Sequence, residues 1–367
     1  MLLPNNRLIG LLISFVFSII AGAQQTAAPS PVPSTSSQPA IAAPTATPGQ
    51  PVQVPTTGIA TPVGQTTAQQ PQPVPAPDQG QAATDEGGTF VFRKEVEEVV
   101  LHATVVDEKH RLITNLGREA FTIFENNQPQ KLTSFRREDI PVTMCIVIDN
   151  SGSMREKRDK VNKAALNLVR SSNPQDQVCV VNFNDEYYLD QPFTGNINLL
   201  KEALEKVEAR GGTALYDAIV ATADELKKHA KLQKKVIFVV TDGEDNASRE
   251  NLEEAVRRLQ EENGPTVYAI GLLGEEKAHR ARRALETIAL HTGGIAFLPK
   301  TLDEVDSISS TIAHDIRNQY TLGYKPSTPK SVGGYRSIRV EARAKGYSKL
   351  TVRTRSGYFP GQEASGQ

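Results

Sequence analysis

Four short, nearly uninterrupted apolar runs, at residues 144–148, 178–183, 236–240 and 267–270, constrain this chain more than any other feature. Continuous apolar character over so few residues marks a strand buried on both faces, as in a parallel sheet. Stripes at helical spacing separate the runs: Ile197, Leu200, Leu204 and Val207; Leu252, Ala255, Val256 and Leu259; Val305, Ile308, Ile312 and Ile316. Their charged residues lie on the opposite side, as expected of helices laid on a sheet. Strands alternating with helices predict an α/β domain over 141–318 with a doubly wound, mostly parallel sheet. Ligands of such a sheet gather at the C-terminal ends of its strands.

A different period flanks this region. Val96, Val99, Leu101, Ala103 and Val105 alternate with Glu97, Glu98, His102 and Thr104. That is the two-residue repeat of a half-buried strand. A second strand is expected at Phe121, Ile123 and Phe124, turning through 126–129 into 132–135. The same alternation returns at Tyr320, Leu322 and Tyr324, at Ile338, Val340 and Ala342, and at Leu350 and Val352. Segments 89–140 and 319–360 are each too short for a good core. They are expected to pair across the chain as one flanking β module, followed by a disordered tail at 361–367.

The front of the chain is unlike either part. Thirteen of the 23 prolines fall between residues 24 and 88, where the only charged residues are Asp78, Asp85 and Glu86. Such a stretch has too few large apolar side chains to offset the entropy of ordering, so it reads as a disordered tether. Before it, Arg7 precedes an apolar run at 8–20 and then Ala21, Gly22 and Ala23. The run is shorter than the roughly 20 residues of a membrane-spanning helix and ends in small residues, the pattern of a signal peptide at 1–23. Export to the periplasm, the cell surface or the medium follows. No Cys follows the cleavage point, which argues against a lipid anchor. Across 367 residues, 41 Lys and Arg face 42 Asp and Glu. This balance, with no basic run interleaved with aromatics, excludes a nucleic-acid partner and leaves the oligomeric state open.

The strand ends carry the chemistry. After the first run comes Asp149-Asn150-Ser151-Gly152-Ser153-Met154, and after the third Thr241-Asp242-Gly243-Glu244-Asp245-Asn246. A third loop, Gly211-Gly212-Thr213-Ala214, opens another helix. Carboxylates and hydroxyls together make a hard, all-oxygen donor set suited to Mg²⁺, Mn²⁺ or Ca²⁺ rather than zinc. Alternate serines in a turning loop aim two hydroxyls the same way. Taken singly, each element reads as a helix cap; three at strand ends read as a site. Asp217, Glu244 and Asp245 are expected to cap or to face solvent, and Asn246, within a glycosylation sequon, to cap the next helix.

These three loops, in this order, resemble the metal-ion-dependent adhesion site of a von Willebrand factor A domain, with the likeness covering 141–318. The resemblance implies Asp149, Ser151 and Ser153 as ligands from the first loop, Thr213 from the second and Asp242 from the third. It implies a divalent cation, Mg²⁺ foremost, with one position open to a Glu or Asp of a protein partner. The whole order of parts, including Tyr320-Thr321-Leu322-Gly323-Tyr324 and Gly357-Tyr358-Phe359, is similar to A-domain-related proteins common in acidobacterial genomes.

The remaining signals are weaker. Cys145 and Cys179 lie in strands the fold makes neighbours, and buried free thiols are expected because a bridge between adjacent central strands rarely meets the geometry. The six histidines show no metal spacing. Residues 336–355 hold seven basic side chains and one acid, Glu341. This reads as an outward basic edge, on which an anionic glycan or membrane surface could bind. No nucleophile, base and orienting group can be read together, so no enzyme is expected. A Mg²⁺-dependent hydrolase of the Asp-nucleophile type is the remote alternative, and Ser151 stands where such an enzyme needs a second acid. The reading is therefore a non-catalytic adhesion or assembly module. Its alternative is an envelope-assembly protein with a stabilising metal and a basic tail that makes the contacts.

Overall fold

The computed structural model describes residues 98–274 and 278–361; the segment expected as a signal peptide, the proline-rich stretch and the tail at 362–367 lie outside the described residues. In chain order the strands before the first helix are β1 (Val99–Val106), β2 (Phe121–Glu125), β3 (Gln128–Gln130), β4 (Leu132–Arg136) and β5 (Val142–Asp149). Next come α1 (Arg158–Arg170), β6 (Gln177–Phe183), β7 (Tyr187–Thr194), α2 (Ile197–Glu205), α3 (Leu215–His229) and β8 (Lys234–Thr241). The domain closes with α4 (Leu252–Leu259), β9 (Thr266–Gly271), α5 (Ala278–Thr292), β10 (Ala296–Phe297) and α6 (Glu304–Arg317). The last strands are β11 (Tyr320–Tyr324), β12 (Arg336–Ala342), β13 (Thr351–Arg353) and β14 (Gly357–Tyr358).

The central sheet has the order β10-β9-β8-β5-β6-β7, parallel except for the edge strand β7. Its four apolar runs are the inner strands. Met144, Ile146 and Ile148 face one side with Phe238 and Tyr268, and pack on Leu168, Leu200 and Ile312 of α1, α2 and α6. Cys145 and Val147 face the other, with Val181 and Val239, and pack on Ile219, Leu259 and Ile288 of α3, α4 and α5. Helices on both faces make the sheet doubly wound. β7 escaped the sequence reading because its residues, among them Tyr187, Tyr188 and Leu189, are mostly exposed and carry no buried alternation.

The two ends of the chain build the flanking module together. One antiparallel sheet runs β13-β1-β11-β4 and a second runs β14-β12-β2-β3, so each mixes strands from before and after the α/β domain. Leu101, Ile123, Leu322 and Val340 from these sheets share one core, and the rings of Phe121 and Tyr320 meet at 4.9 Å. The module is fastened to the α/β domain through Asp315 of α6. Its carboxylate accepts from the Tyr268 hydroxyl at 2.6 Å and from Arg353 at 2.8 and 2.9 Å.

Two expectations are corrected here. Cys145 and Cys179 are disulfide-bonded, with no free cysteine among the described residues. The register explains it: the two residues are direct partners across β5 and β6, on the same face, with Cα atoms 4.6 Å apart. That separation lies inside the range a disulfide spans.

The basic segment, in turn, is not a uniform outward edge. Arg336 is buried beside Glu125, Arg353 binds Asp315, and Arg355 donates to the Leu259, Glu261 and Gly357 carbonyls. Arg339 and Arg343 are exposed but share Glu341. The surface offered to an anionic glycan or membrane is correspondingly reduced.

Candidate metal centre

β5 and β8 are neighbours whose connections leave in opposite directions, β5 leading to β6 on one side while β8 leads to β9 on the other. Such a switch point opens a crevice at the strand ends. Asp149 is the last residue of β5 and Asp242 the first after β8, so the two carboxylates stand side by side at that crevice.

The first loop folds around Asp149. Its Oδ1 accepts from the Ser151 N–H at 2.8 Å, and its Oδ2 accepts from the Thr241 hydroxyl at 2.6 Å. Ser151 Oγ and Ser153 Oγ are 3.2 Å apart, and Ser153 Oγ donates to Asp242 Oδ1 at 2.7 Å. The second loop is laced to the first, since the Arg210 N–H donates to the Asn150 carbonyl at 2.7 Å and the Gly152 N–H to the Gly211 carbonyl at 3.3 Å. Gly211 has φ +77°, a turn that favours glycine. Thr213 reaches the third loop: a Cβ added to Gly243 would stand 3.2 Å from its hydroxyl. A side chain at 243 would therefore press on Thr213. Hydrogen bonds thus link Ser151 to Asp149 and to Ser153, and Ser153 to Asp242, and Thr213 lies beside Gly243, the residue after Asp242.

Two carboxylates share the centre. Burial raises the pKa of Asp149, the hydrogen bonds from Thr241 and Ser151 oppose that rise, and the nearby Asp242 adds to it. Lys157 Nζ pairs with Asp242 Oδ2, and Arg158, which donates to Asn182 and the Leu204 carbonyl, lies in the field of Asp149. Two carboxylates and three hydroxyls, an all-oxygen set, fit a hard divalent cation. No cluster of three His, Cys, Asp or Glu occurs among the described residues, so the donor set depends on its hydroxyls.

The neighbours have structural work. Asp217 accepts from the Arg249 and Glu250 N–H groups, Asp245 from the Tyr216 N–H and Ser248, and Glu244 pairs with Arg280. Asn246 departs from expectation. Helix α4 is capped by Asn251 in a capping box with Glu254, whereas Asn246 Oδ1 accepts from the Thr213 N–H at 2.9 Å and fixes that loop. Sequence reasoning also passed over Thr241, Lys157 and Asn150. The Asn150 amide is buried with neither polar atom hydrogen-bonded among the described residues. Thr241 carried a signal, a hydroxyl at the end of an apolar strand opposite Asp149; Lys157 carried none, because its partner is 85 residues away.

The sequence model of the von Willebrand factor type A domain matches residues 144–244, the stretch that holds all three loops. With this sheet, the chain contains a von Willebrand factor type A domain. Inter-alpha-trypsin inhibitor heavy chain H4 of Bos taurus is 28% identical over 173 residues, covering 43% of this chain and 18% of that one. An uncharacterised protein of Synechocystis is 29% identical over 109 residues, 29% of this chain and 26% of its own length. The chain thus spans about a quarter or less of the curated relatives it matches. Among solved structures, the von Willebrand factor type A protein of Catenulispora acidiphila aligns with a TM-score of 0.44 at 14% identity, over 71% of this chain and 73% of that one.

Proposed function

We propose that this is an exported, non-catalytic protein-binding module that captures an acidic residue of a partner at a divalent cation, most suitably Mg²⁺. The observation that carries the reading is the convergence of Asp149, Ser151, Ser153, Thr213 and Asp242 on one crevice, where Lys157 pairs with Asp242 and Arg158 lies in the field of Asp149. Bound there, the ion would supply an electrophilic centre that a Glu or Asp completes. Asp149 is held by Thr241 and Ser151, and Ser153 is held by Asp242, so the chain's own groups keep the donors aligned. Ser151 in place of an acid leaves no group to protonate a leaving group, which supports binding over hydrolysis. The Cys145–Cys179 bond and the signal-like segment at 1–23 both suit an oxidising compartment outside the cytoplasm.

The test is capture of an envelope partner by wild type and Asp149→Ala, with and without chelator, alongside calorimetric titration with Mg²⁺. Capture should require Mg²⁺ and vanish in Asp149→Ala while circular dichroism stays unchanged; capture that persists in chelator refutes the reading. The Lys157–Asp242 pair gives a second expectation. Lys157→Met should bind Mg²⁺ roughly tenfold more tightly, because a competing positive charge leaves the carboxylate. Unchanged or weaker Mg²⁺ affinity in that variant would show that Lys157 does not compete with the ion.

A further inference from the structure

We propose a second site at the opposite end of the sheet: a small inorganic anion, of the size of chloride or bicarbonate, held between β1 and the starts of β8 and β9 by Lys235, Arg355 and His102. A cavity of about 30 Å³ lies there. That is room for one or two water-sized groups. It is lined by those three residues and by the hydroxyl-bearing Thr266, Thr292 and Thr354, and no carboxylate lines it.

Three observations give the cavity its sign. Arg355 is partly buried, and every hydrogen bond it makes among the described residues goes to a neutral carbonyl: Gly357 at 3.2 Å, Leu259 at 3.3 Å and Glu261 at 2.9 Å. The acid nearest in its field, Glu262, is paired with Lys330 at 2.7 Å and accepts from the Gly361 N–H. The side chain of Lys235, also partly buried, makes no hydrogen bond or ion pair among the described residues; the charge in its field is that of Lys227, and the acids of the neighbouring cavity it also lines, Asp224, Glu261 and Glu262, are paired with Arg258, Lys227 and Lys330. Thr354 Oγ1 is buried and has no hydrogen-bond partner among the described residues. Partly buried cations without an anionic partner are costly, and a small anion accepting from the guanidinium, the ammonium and the hydroxyl compensates them.

The field is felt by the third residue. The His102 imidazole is pushed down to about 3, first by burial and then by the charges of Lys234 and Arg355. Lys234 itself is turned away, donating to the Ile316 carbonyl, with Asp139, Asp176 and Asp315 as its acidic neighbours. Arg355 and Lys235 are therefore the cations left for an anion. The site is independent of the metal centre, which lies at the other ends of the same strands.

Chloride is the probe. In ³⁵Cl NMR of the full chain, the wild type should broaden the chloride line in a saturable manner, and Asp149→Ala should do the same. Bicarbonate should compete and the bulkier gluconate should not. Lys235→Met should weaken chloride binding roughly tenfold, as loss of one close charge in a partly buried site predicts. Arg355→Met should abolish it, but the decisive variant is Lys235→Met, because the Lys235 side chain has no hydrogen bond or ion pair to lose among the described residues. Absence of saturable broadening in wild type, or equal broadening in Lys235→Met, overturns the proposal and leaves a water-filled cavity.

Discussion

Glu125→Ala is expected to destabilise the protein by about 3–5 kcal/mol, the range for removing one member of a buried ion pair. The carboxylate stands at the centre of the β module, with 2% of its side chain exposed. Its Oε2 accepts from the hydroxyls of Tyr324 and Tyr358, and its Oε1 lies 3.6 Å from Arg336, which is 3% exposed. Burial, then the Glu125 charge beside it, pushes the Tyr358 phenol up to about 12, and burial with the hydrogen bond to Glu125 raises Tyr324 as well, so both tyrosines keep their protons.

Without that charge, Arg336 retains the carbonyls of Thr328, Pro329 and Val332 and the Tyr358 hydroxyl, all neutral, and two buried phenols lose their carboxylate acceptor. The loss should be seen as a lower midpoint in urea unfolding. Glu125→Gln keeps an acceptor and should cost less. A change below about 1 kcal/mol in Glu125→Ala would show that the cluster is a spectator, since one ordinary hydrogen bond is worth that much. Because Glu125 comes from the segment before the α/β domain and its partners from the segment after it, the same variant also tests whether the chain ends depend on each other.

The second large effect should come from the disulfide. Cys145 and Cys179 close a loop of sequence separation 34. A loop of that length restrains the unfolded chain by about 3–4 kcal/mol. Replacing both residues by alanine, or unfolding the wild type with reductant present, should lower stability by that amount. Native protein should resist reductant, because both residues are fully buried. Equal denaturation midpoints for oxidised and reduced wild type would remove the bond from the account of stability.

The central sheet was legible because its signals are local. A run such as 236–240 declares a doubly buried strand without reference to any other part of the chain. The helical stripe Val305, Ile308 and Ile312 declares the face that its helix buries. The candidate site was legible for the same reason, since Asp149, Ser151 and Ser153 lie in one turn and Asp242 and Thr213 each sit in a turn of their own kind. The groups that complete and tune the site were not. Lys157 meets Asp242, and Thr241 meets Asp149, across 85 and 92 residues, and nothing in the local pattern of either residue names its partner.

By itself the amino-acid order determined the α/β class, the pairing of the flanking segments and the five candidate oxygen donors, because hydrophobic period and turn chemistry act over a few residues. Only the tertiary structure decided that two cysteines stand opposite one another and are bonded. It also decided that Arg336, Arg353 and Arg355 turn inward, and that Asn246 holds Thr213 instead of capping a helix. Those outcomes depend on register and on which distant charge or carbonyl arrives alongside, and such distances exist only once the sheets have formed.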